Sequence, residues 1–255
     1  MTSRAAAAIL DAWKAHREIV PLGADAPADS SAGYAVQREV AEAIGAVPPA
    51  GFKIGATARQ MQSYLGIVTP AAGFITPEGL LTTPAEHRFA DLLAPGCEPE
   101  VALRLGRDIP PGKITRAEAA DCVAEVFAGI EIVENRYADF RTLGAPTLIA
   151  DQFFHRAAVM GRPAAGWRDA DLGAIRGRIL VNGALRGEGV GADLLGHPFE
   201  ALAWLAGSEA AAIFGGLKAG QVVFLGSVTP PVWLDGPCQV TAEFDVLGKV
   251  EVTFR

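Results

Sequence analysis

In the stretch GCEPEVALRL, residues 96–105, two glutamates, Glu98 and Glu100, flank a single proline at the head of an apolar run. Extended backbone puts residues i and i+2 on one face, so the spacing predicts two carboxylates side by side. In a shielded setting both stay ionised only with positive charge between them, and a divalent cation supplies it most economically. A third acid, Glu131 in AGIEIVENR, lies between Ile130 and Ile132 in a segment apolar enough to be a buried strand, where an unpaired carboxylate is costly. Three carboxylates without His or Cys beside them in sequence form a hard oxygen donor set, suited to Mg²⁺, Mn²⁺ or Ca²⁺ rather than zinc or copper. Three protein ligands also leave coordination positions for water or substrate. The competing reading makes Glu98 and Glu100 solvated edge-strand charges and pairs Glu131 with an arginine such as Arg136. Spacing alone leaves both readings open.

Lys53, in GFKIGAT, is framed by Gly51 and Gly55 and has apolar neighbours. Glycines admit a close approach of backbone or ligand, and a lysine in an apolar pocket is suited to proton exchange. A snorkelling side chain with a wet head is the alternative.

The elements that must position these groups follow from periodicity and punctuation. Helices are expected over 4–17 and 32–46, then a short strand at GFKIG and a helix ending at Gly66. Residues 67–97, rich in Pro, Gly and Thr, read as turns with short extended pieces. Thr115 and Glu118 form a capping box that predicts a helix over 116–128, leading into the strand IEIVENR. Asn182-Gly183 marks a hairpin within 176–189. PFEALAWLAGSEAAAIFGG reads as one helix from Pro198 to the Gly215-Gly216 pair, and the tail as an antiparallel hairpin turning at Leu247-Gly248. Helices first and strands later argue for an α+β fold with a mixed or antiparallel sheet. GEGVGADLLG has glycines but neither the spacing nor the βαβ setting of a dinucleotide fingerprint.

The totals exclude several classes. With 255 residues, half hydrophobic and one fifth charged, the chain can bury a substantial core. Its net charge of −7 and lack of basic clusters argue against a nucleic-acid partner. Three scattered cysteines suggest neither a disulfide framework nor a zinc site, hence a reducing compartment. No segment has the roughly 18 to 20 apolar residues of a membrane span. The expectation is a soluble, cytoplasmic protein without membrane partners.

Taken together, YAVQ (34–37), GFKIGAT (51–57), LGI (65–67), EPEVAL (98–103), IEIVENRY (130–137), LGHPFEALAWLA (195–206) and LKAGQVVFLGSVT (217–229) resemble the hydratase/decarboxylase branch of the fumarylacetoacetate hydrolase superfamily, in the order found there. The resemblance implies a mixed β-sandwich roll with an N-terminal helical portion. Residues 1–80 would form that portion and bring Lys53 to the site, and 81–255 the β-rich catalytic core, all as one integrated domain. It also implies Mg²⁺ or Mn²⁺ held by Glu98, Glu100 and Glu131, and a 2-oxo or 2-hydroxy-dienoic acid substrate of the kind met in aromatic catabolism. A homo-oligomer, and a lyase reaction through a metal-stabilised enolate, are implied as well. Lys53 would handle the proton or the substrate carboxylate. Ser227 and Thr229 in GSVT would hydrogen-bond the ligand, although a turn-capping role accounts for them too.

Two departures from the family pattern bear on the reaction. Relatives carry an acid in a P-D-[YF]-G segment, where this chain has Ala71 and Ala72; relatives carry small residues where it has Gln152, Phe153, Phe154 and His155. Phe154 is expected to shape the substrate pocket, and His155 to supply a group titrating near neutral pH. Hydration, decarboxylation and C–C hydrolysis stay open on these grounds, as does a metal- and ligand-binding pseudoenzyme.

Overall fold

The computed structural model describes residues 2–255. In chain order the helices are α1 (Arg4–Lys14), α2 (Ser30–Ala43), α3 (Arg59–Leu65), α4 (Arg116–Asp121), α5 (Phe140–Leu143), α6 (Ala145–Ala150), α7 (Pro198–Ala206) and α8 (Glu209–Ile213). The strands are β1 (Gly51–Gly55), β2 (Ala71–Ile75), β3 (Leu80–Thr82), β4 (Ala85–His87), β5 (Pro95–Leu105), β6 (Val123–Glu134) and β7 (His155–Met160), followed by β8 (Arg176–Val181), β9 (Ala184–Val190), β10 (Val222–Ser227), β11 (Val232–Trp233), β12 (Cys238–Phe244) and β13 (Gly248–Phe254).

The expected starts carry their caps. Ser3 and Asp29 accept backbone N–H groups at the heads of α1 and α2, and Thr115 and Glu118 close the capping box of α4. The helix expected over 116–128 ends at Asp121, however, and Val123 begins the strand β6. The segment VAEVFAGIEIVE is rich in branched residues and pairs antiparallel with β5 from Leu105↔Val123 to Pro95↔Glu134, so sheet pairing overrides helical continuation. The helix expected over 198–216 is likewise two, α7 and α8. Ser208 donates its hydroxyl to Leu205 O and accepts from Ala211 N, capping a new helix after Gly207. The stretch 67–97 contains the strands β2, β3 and β4. Both expected hairpins are present, β8–β9 through Asn182-Gly183 and β12–β13 before Gly248, with positive φ at each turn.

The strands form two sheets, one in the order β2-β1-β10-β5-β6-β7-β3 with β11 added to β5, the other β4-β13-β12-β8-β9. The first mixes parallel and antiparallel pairs and curls until β2 meets β7. The second packs across β5 and β6. Alternation along β5 and β6 divides the apolar interior. Val101, Leu103, Leu105, Val126, Ala128, Ile130 and Ile132 join the main core, whereas Ala102 and Phe127 belong to a smaller cluster with Phe224, Ala158 and Met160. Glu98 and Glu100 share the face of Ala102, and Glu131 that of Phe127. Lys53 pairs with Phe224, so its strand brings it to the same side. The site therefore continues the small cluster at one end of the curled sheet. Among the described residues, no helix is long and apolar enough to cross a membrane.

Candidate metal centre and active site

β5 runs between β10 and β6, an interior position, and Glu98 stands directly opposite Glu131 in the register. The solvated-edge reading of Glu98 and Glu100 is thereby corrected. Glu100 and Glu131 are fully buried and Glu98 is half-buried. One oxygen from each of the three carboxylates lies within 4.8 Å of those of the others. Arg136 does not pair with Glu131; its guanidinium is engaged by Asp151 and Glu134. The partners of Glu131 Oε1 are Lys53 Nζ at 3.3 Å and His155 Nδ1 at 2.8 Å. As a neutral imidazole His155 donates Nδ1–H to the carboxylate, leaving Nε2 an acceptor. Lys53 also donates to Phe153 O at 2.5 Å. Glu100 accepts from Gly226 N at 2.8 Å, a donor aimed inward by the irregularity of β10 between Phe224 and Ser227, where Gly226 has φ +105°.

This arrangement fits a divalent cation. Glu100 Oε1 and Glu131 Oε2 are buried without a hydrogen-bond partner, which a bound cation would remedy. Burial, then the charge of Glu131, pushes the Glu98 carboxyl up to about 8 from an ordinary 4.5. Burial and the two neighbouring carboxylates push Glu100 well up as well, against the pull of the Gly226 N–H. Burial would raise Glu131 too, but Lys53 and then His155 outweigh it and hold its carboxyl below the ordinary value. Burial lowers His155 despite Glu131, favouring the neutral ring. All-oxygen donors suit Mg²⁺, Mn²⁺ or Ca²⁺.

A pH signature follows. Between about 4.5 and about 8 the folded metal-free protein keeps protons on Glu98 that the unfolded chain has released. The contribution of this group to metal-free stability therefore falls as pH rises through that window. A cation that holds the carboxylates ionised removes the penalty, so its binding releases protons. The rise in melting temperature on adding Mg²⁺ is expected to grow from pH 6 to pH 8.5, read by thermal unfolding with and without the ion. A constant rise would contradict the proton linkage.

The segment before β7 is held in an unusual shape. Gln152, Phe153 and Phe154 have φ of 61°, 51° and 67°, three successive non-glycine residues in the left-handed region, at about 1–2 kcal/mol each. Arg136 clamps both ends of this turn, donating to Asp151 O at 2.9 Å and His155 O at 2.8 Å. Asp151, fully buried, also accepts from Arg136, Tyr137 Oη and Trp13 Nε1. The turn aims the Phe153 carbonyl at Lys53 and His155 at Glu131. Gly55 makes room for it: a Cβ there would lie 2.6 Å from the Phe153 ring.

Lys53 and Glu98 open onto a cavity of 370 Å³ that Phe154 helps to wall. Glu98 also borders an adjoining cavity of 800 Å³ containing Arg59, Ser227 and Thr229. Ser227 Oγ accepts from Thr229 N, and Thr229 Oγ1 donates to Pro230 O, so both hydroxyls already serve the local turn while lining that cavity. Ala71 pairs with Gly55, and Gly73 with Lys53, so Ala71 stands on the lysine's side of β2 as a methyl group. Lys53, Glu98, Glu100, Glu131 and His155 are thus contiguous, Phe154 joins them across the first cavity, and Ser227 and Thr229 line the second. Sequence reasoning missed Gly226 N–H, the Phe153 carbonyl and the clamp formed by Arg136 with Asp151.

Residues 38–255 match the family model described as the C-terminal domain of fumarylacetoacetate hydrolase. The chain is 32% identical to a 2-keto-4-pentenoate hydratase of Burkholderia vietnamiensis over 253 residues, covering 98% of this chain and 95% of that protein. It is 29% identical over 203 residues to a 4-oxalocrotonate decarboxylase of a Pseudomonas species, covering 78% and 76%. The solved 4-oxalocrotonate decarboxylase of Pseudomonas putida G7, complexed with magnesium and adipate, superposes with a TM-score of 0.90 at 24% identity, covering 100% of this chain and 97% of that one. A fumarylpyruvate hydrolase of Pseudomonas aeruginosa in complex with Mn²⁺ and pyruvate gives 0.63 at 16% identity, with 80% and 88% covered. With the fold, the family model and near full-length kinship in agreement, the chain belongs to the fumarylacetoacetate hydrolase family, within its hydratase/decarboxylase branch.

Proposed function

We propose that this protein is a divalent-metal-dependent lyase acting on 2-hydroxy-dienoic acids and their 2-oxo tautomers, with hydration as its reaction. The observation that carries the reading is the trio Glu98, Glu100 and Glu131, with two orphaned buried oxygens, beside Lys53 at the mouth of a cavity. The trio would hold Mg²⁺ or Mn²⁺, as relatives solved with magnesium and Mn²⁺ suggest. When bound, such an ion supplies positive charge against which negative charge develops on a 2-oxo acid as a neighbouring carbon exchanges a proton.

The remaining work falls to the chain's own groups. Lys53 and His155 fix Glu131 through one oxygen and leave the other free. Lys53 Nζ has three donors, two of them committed to Glu131 and Phe153 O. The third serves a ligand in the cavity, holding its carboxylate or passing a proton to its carbon. His155 acts by orienting Glu131. Its ring meets the carboxylate, while the cavity it lines is a separate one shared with Gln152 and Arg136. A second reading is decarboxylation or C–C hydrolysis of a 2-oxo acid; Ala71 favours decarboxylation, because loss of CO₂ needs no acid there to activate water.

Steady-state assays with Mg²⁺ on 2-hydroxypenta-2,4-dienoate, 4-oxalocrotonate and an acylpyruvate test the proposal. Hydration without CO₂ is expected, and Lys53→Met should slow it on the order of a hundredfold to ten-thousandfold. Release of CO₂ or chain cleavage selects the second reading. Ligand-induced thermal stabilisation without turnover would make the protein a binder and overturn both.

A further inference from the structure

The 370 Å³ cavity carries two charged groups, Lys53 and Glu98, in an otherwise mostly apolar lining. Beyond Lys53 and Glu98 its apolar walls include Met61, Leu65, Val133, Phe140, Phe154 and Trp233, with Pro230 and Pro231. Among the described lining residues, Asn135 and the Trp233 indole N–H are the other side-chain groups capable of hydrogen bonding, and Lys53 is the one cation. That cation already faces Glu131. The wall is fixed: Phe154 packs edge-on against Tyr137, Phe140 and Phe153, with centroids 4.9, 5.8 and 5.9 Å away. Trp233 lies over Gly96, where a Cβ would come within 2.8 Å of the indole. The polar groups, Arg59, Thr57, Ser227, Thr229 and Asp193, line the adjoining cavity alone, and the two cavities share Gly55, Ala56, Met61, Glu98, Pro230 and Pro231.

From this division we infer that the substrate carries an uncharged, apolar tail, alkyl or aryl, at the end remote from its 2-oxo acid head, and that Phe154 and Trp233 select for it. The inference rests on the proposed reading of the head group at the three carboxylates. A tail ending in a carboxylate would lose its hydration against aromatic edges without a free cation to meet it. An apolar tail loses only its contact with water, a gain of about fourfold in affinity per buried methylene.

Calorimetry on the Mg²⁺-loaded protein tests this without requiring turnover, using pyruvate, 2-oxohexanoate, 5-phenyl-2-oxopentanoate and 2-oxoadipate. Affinity should climb from pyruvate to 2-oxohexanoate by roughly fourfold per methylene, with the phenyl acid bound at least as tightly as 2-oxohexanoate. 2-Oxoadipate, of the same length, should bind on the order of a hundredfold more weakly. Phe154→Ala and Trp233→Ala should each narrow the ratio between 2-oxohexanoate and pyruvate by roughly tenfold. Trp233 is 46% exposed, so its removal keeps the test interpretable if Phe154→Ala misfolds. Equal or tighter binding of 2-oxoadipate, a flat series, or no binding of any acid overturns the inference; loss of 2-oxoadipate binding in Arg59→Ala would then assign the tail to the polar cavity. A tail-dependent series in a protein that turns over no dienoate sinks the proposed reaction and leaves the tail inference standing.

Discussion

Glu100→Gln is expected to weaken Mg²⁺ and Mn²⁺ binding more than a hundredfold while leaving the metal-free protein at least as stable as the parent. Loss of an outer partner of a metal ligand costs about ten- to a hundredfold, and Glu100 would be a ligand itself. The second half of the prediction distinguishes a metal site from a structural ion pair. Glu100 is fully buried, has no cationic partner of its own, and stands beside Glu98 and Glu131. Burial and those two neighbours raise its carboxyl well above the ordinary value. Without metal it is a liability to the fold. An amide of the same shape removes the ionisable group while its oxygen still accepts from Gly226 N–H. Calorimetry with each ion and thermal unfolding with and without Mg²⁺ read the two halves. Unchanged metal affinity would sink the site assignment, and a large loss of metal-free stability would make Glu100 structural.

The cluster of three carboxylates was legible in the sequence because its logic is one-dimensional. Strand period places Glu98 beside Glu100, and an acid between isoleucines at 131 needs a partner. Lys53 was marked by its glycines, and Gly55 proves to be the one that lets Phe153 close over the lysine. What stayed hidden depends on three-dimensional register. The strand β6 continues from what the capping box suggested was a long helix, because pairing with β5 outweighs local preference. The competing reading paired Glu131 with Arg136, five residues away, although the strand period points the two to opposite faces; Arg136 spans to Asp151 instead. The left-handed run at Gln152, Phe153 and Phe154 has no sequence signature, since glycine or asparagine ordinarily marks that region. Asp151, a lone acid following the apolar LIA run of α6 and shortly preceding two phenylalanines, was the available clue. A charge there asks for a buried partner as Glu131 does.

The second large effect is expected at that clamp. Arg136→Met should destabilise the protein by about 3–5 kcal/mol, the usual cost of removing one member of a buried ion pair. For a chain of this size that is a fall in melting temperature of roughly 6–20 °C. The methionine fills much of the space against Trp13, over whose ring the guanidinium lies at 5.5 Å, so the loss is electrostatic rather than a void. It leaves the fully buried Asp151 with only Tyr137 Oη and Trp13 Nε1 as side-chain donors, both at 2.6 Å. It also frees both ends of the left-handed turn, and with them the Phe153 carbonyl on Lys53 and the His155 ring on Glu131. Arg136→Lys separates these consequences. An ammonium restores the charge opposite Asp151 but cannot donate in a planar fork to Asp151 O and His155 O together. It should recover most of the melting temperature while kcat stays depressed, with KM affected less, because the turn acts on Lys53 rather than on the substrate. A lysine variant with full kcat would show that the charge alone suffices and that the clamp does not position Lys53 for the proposed reaction.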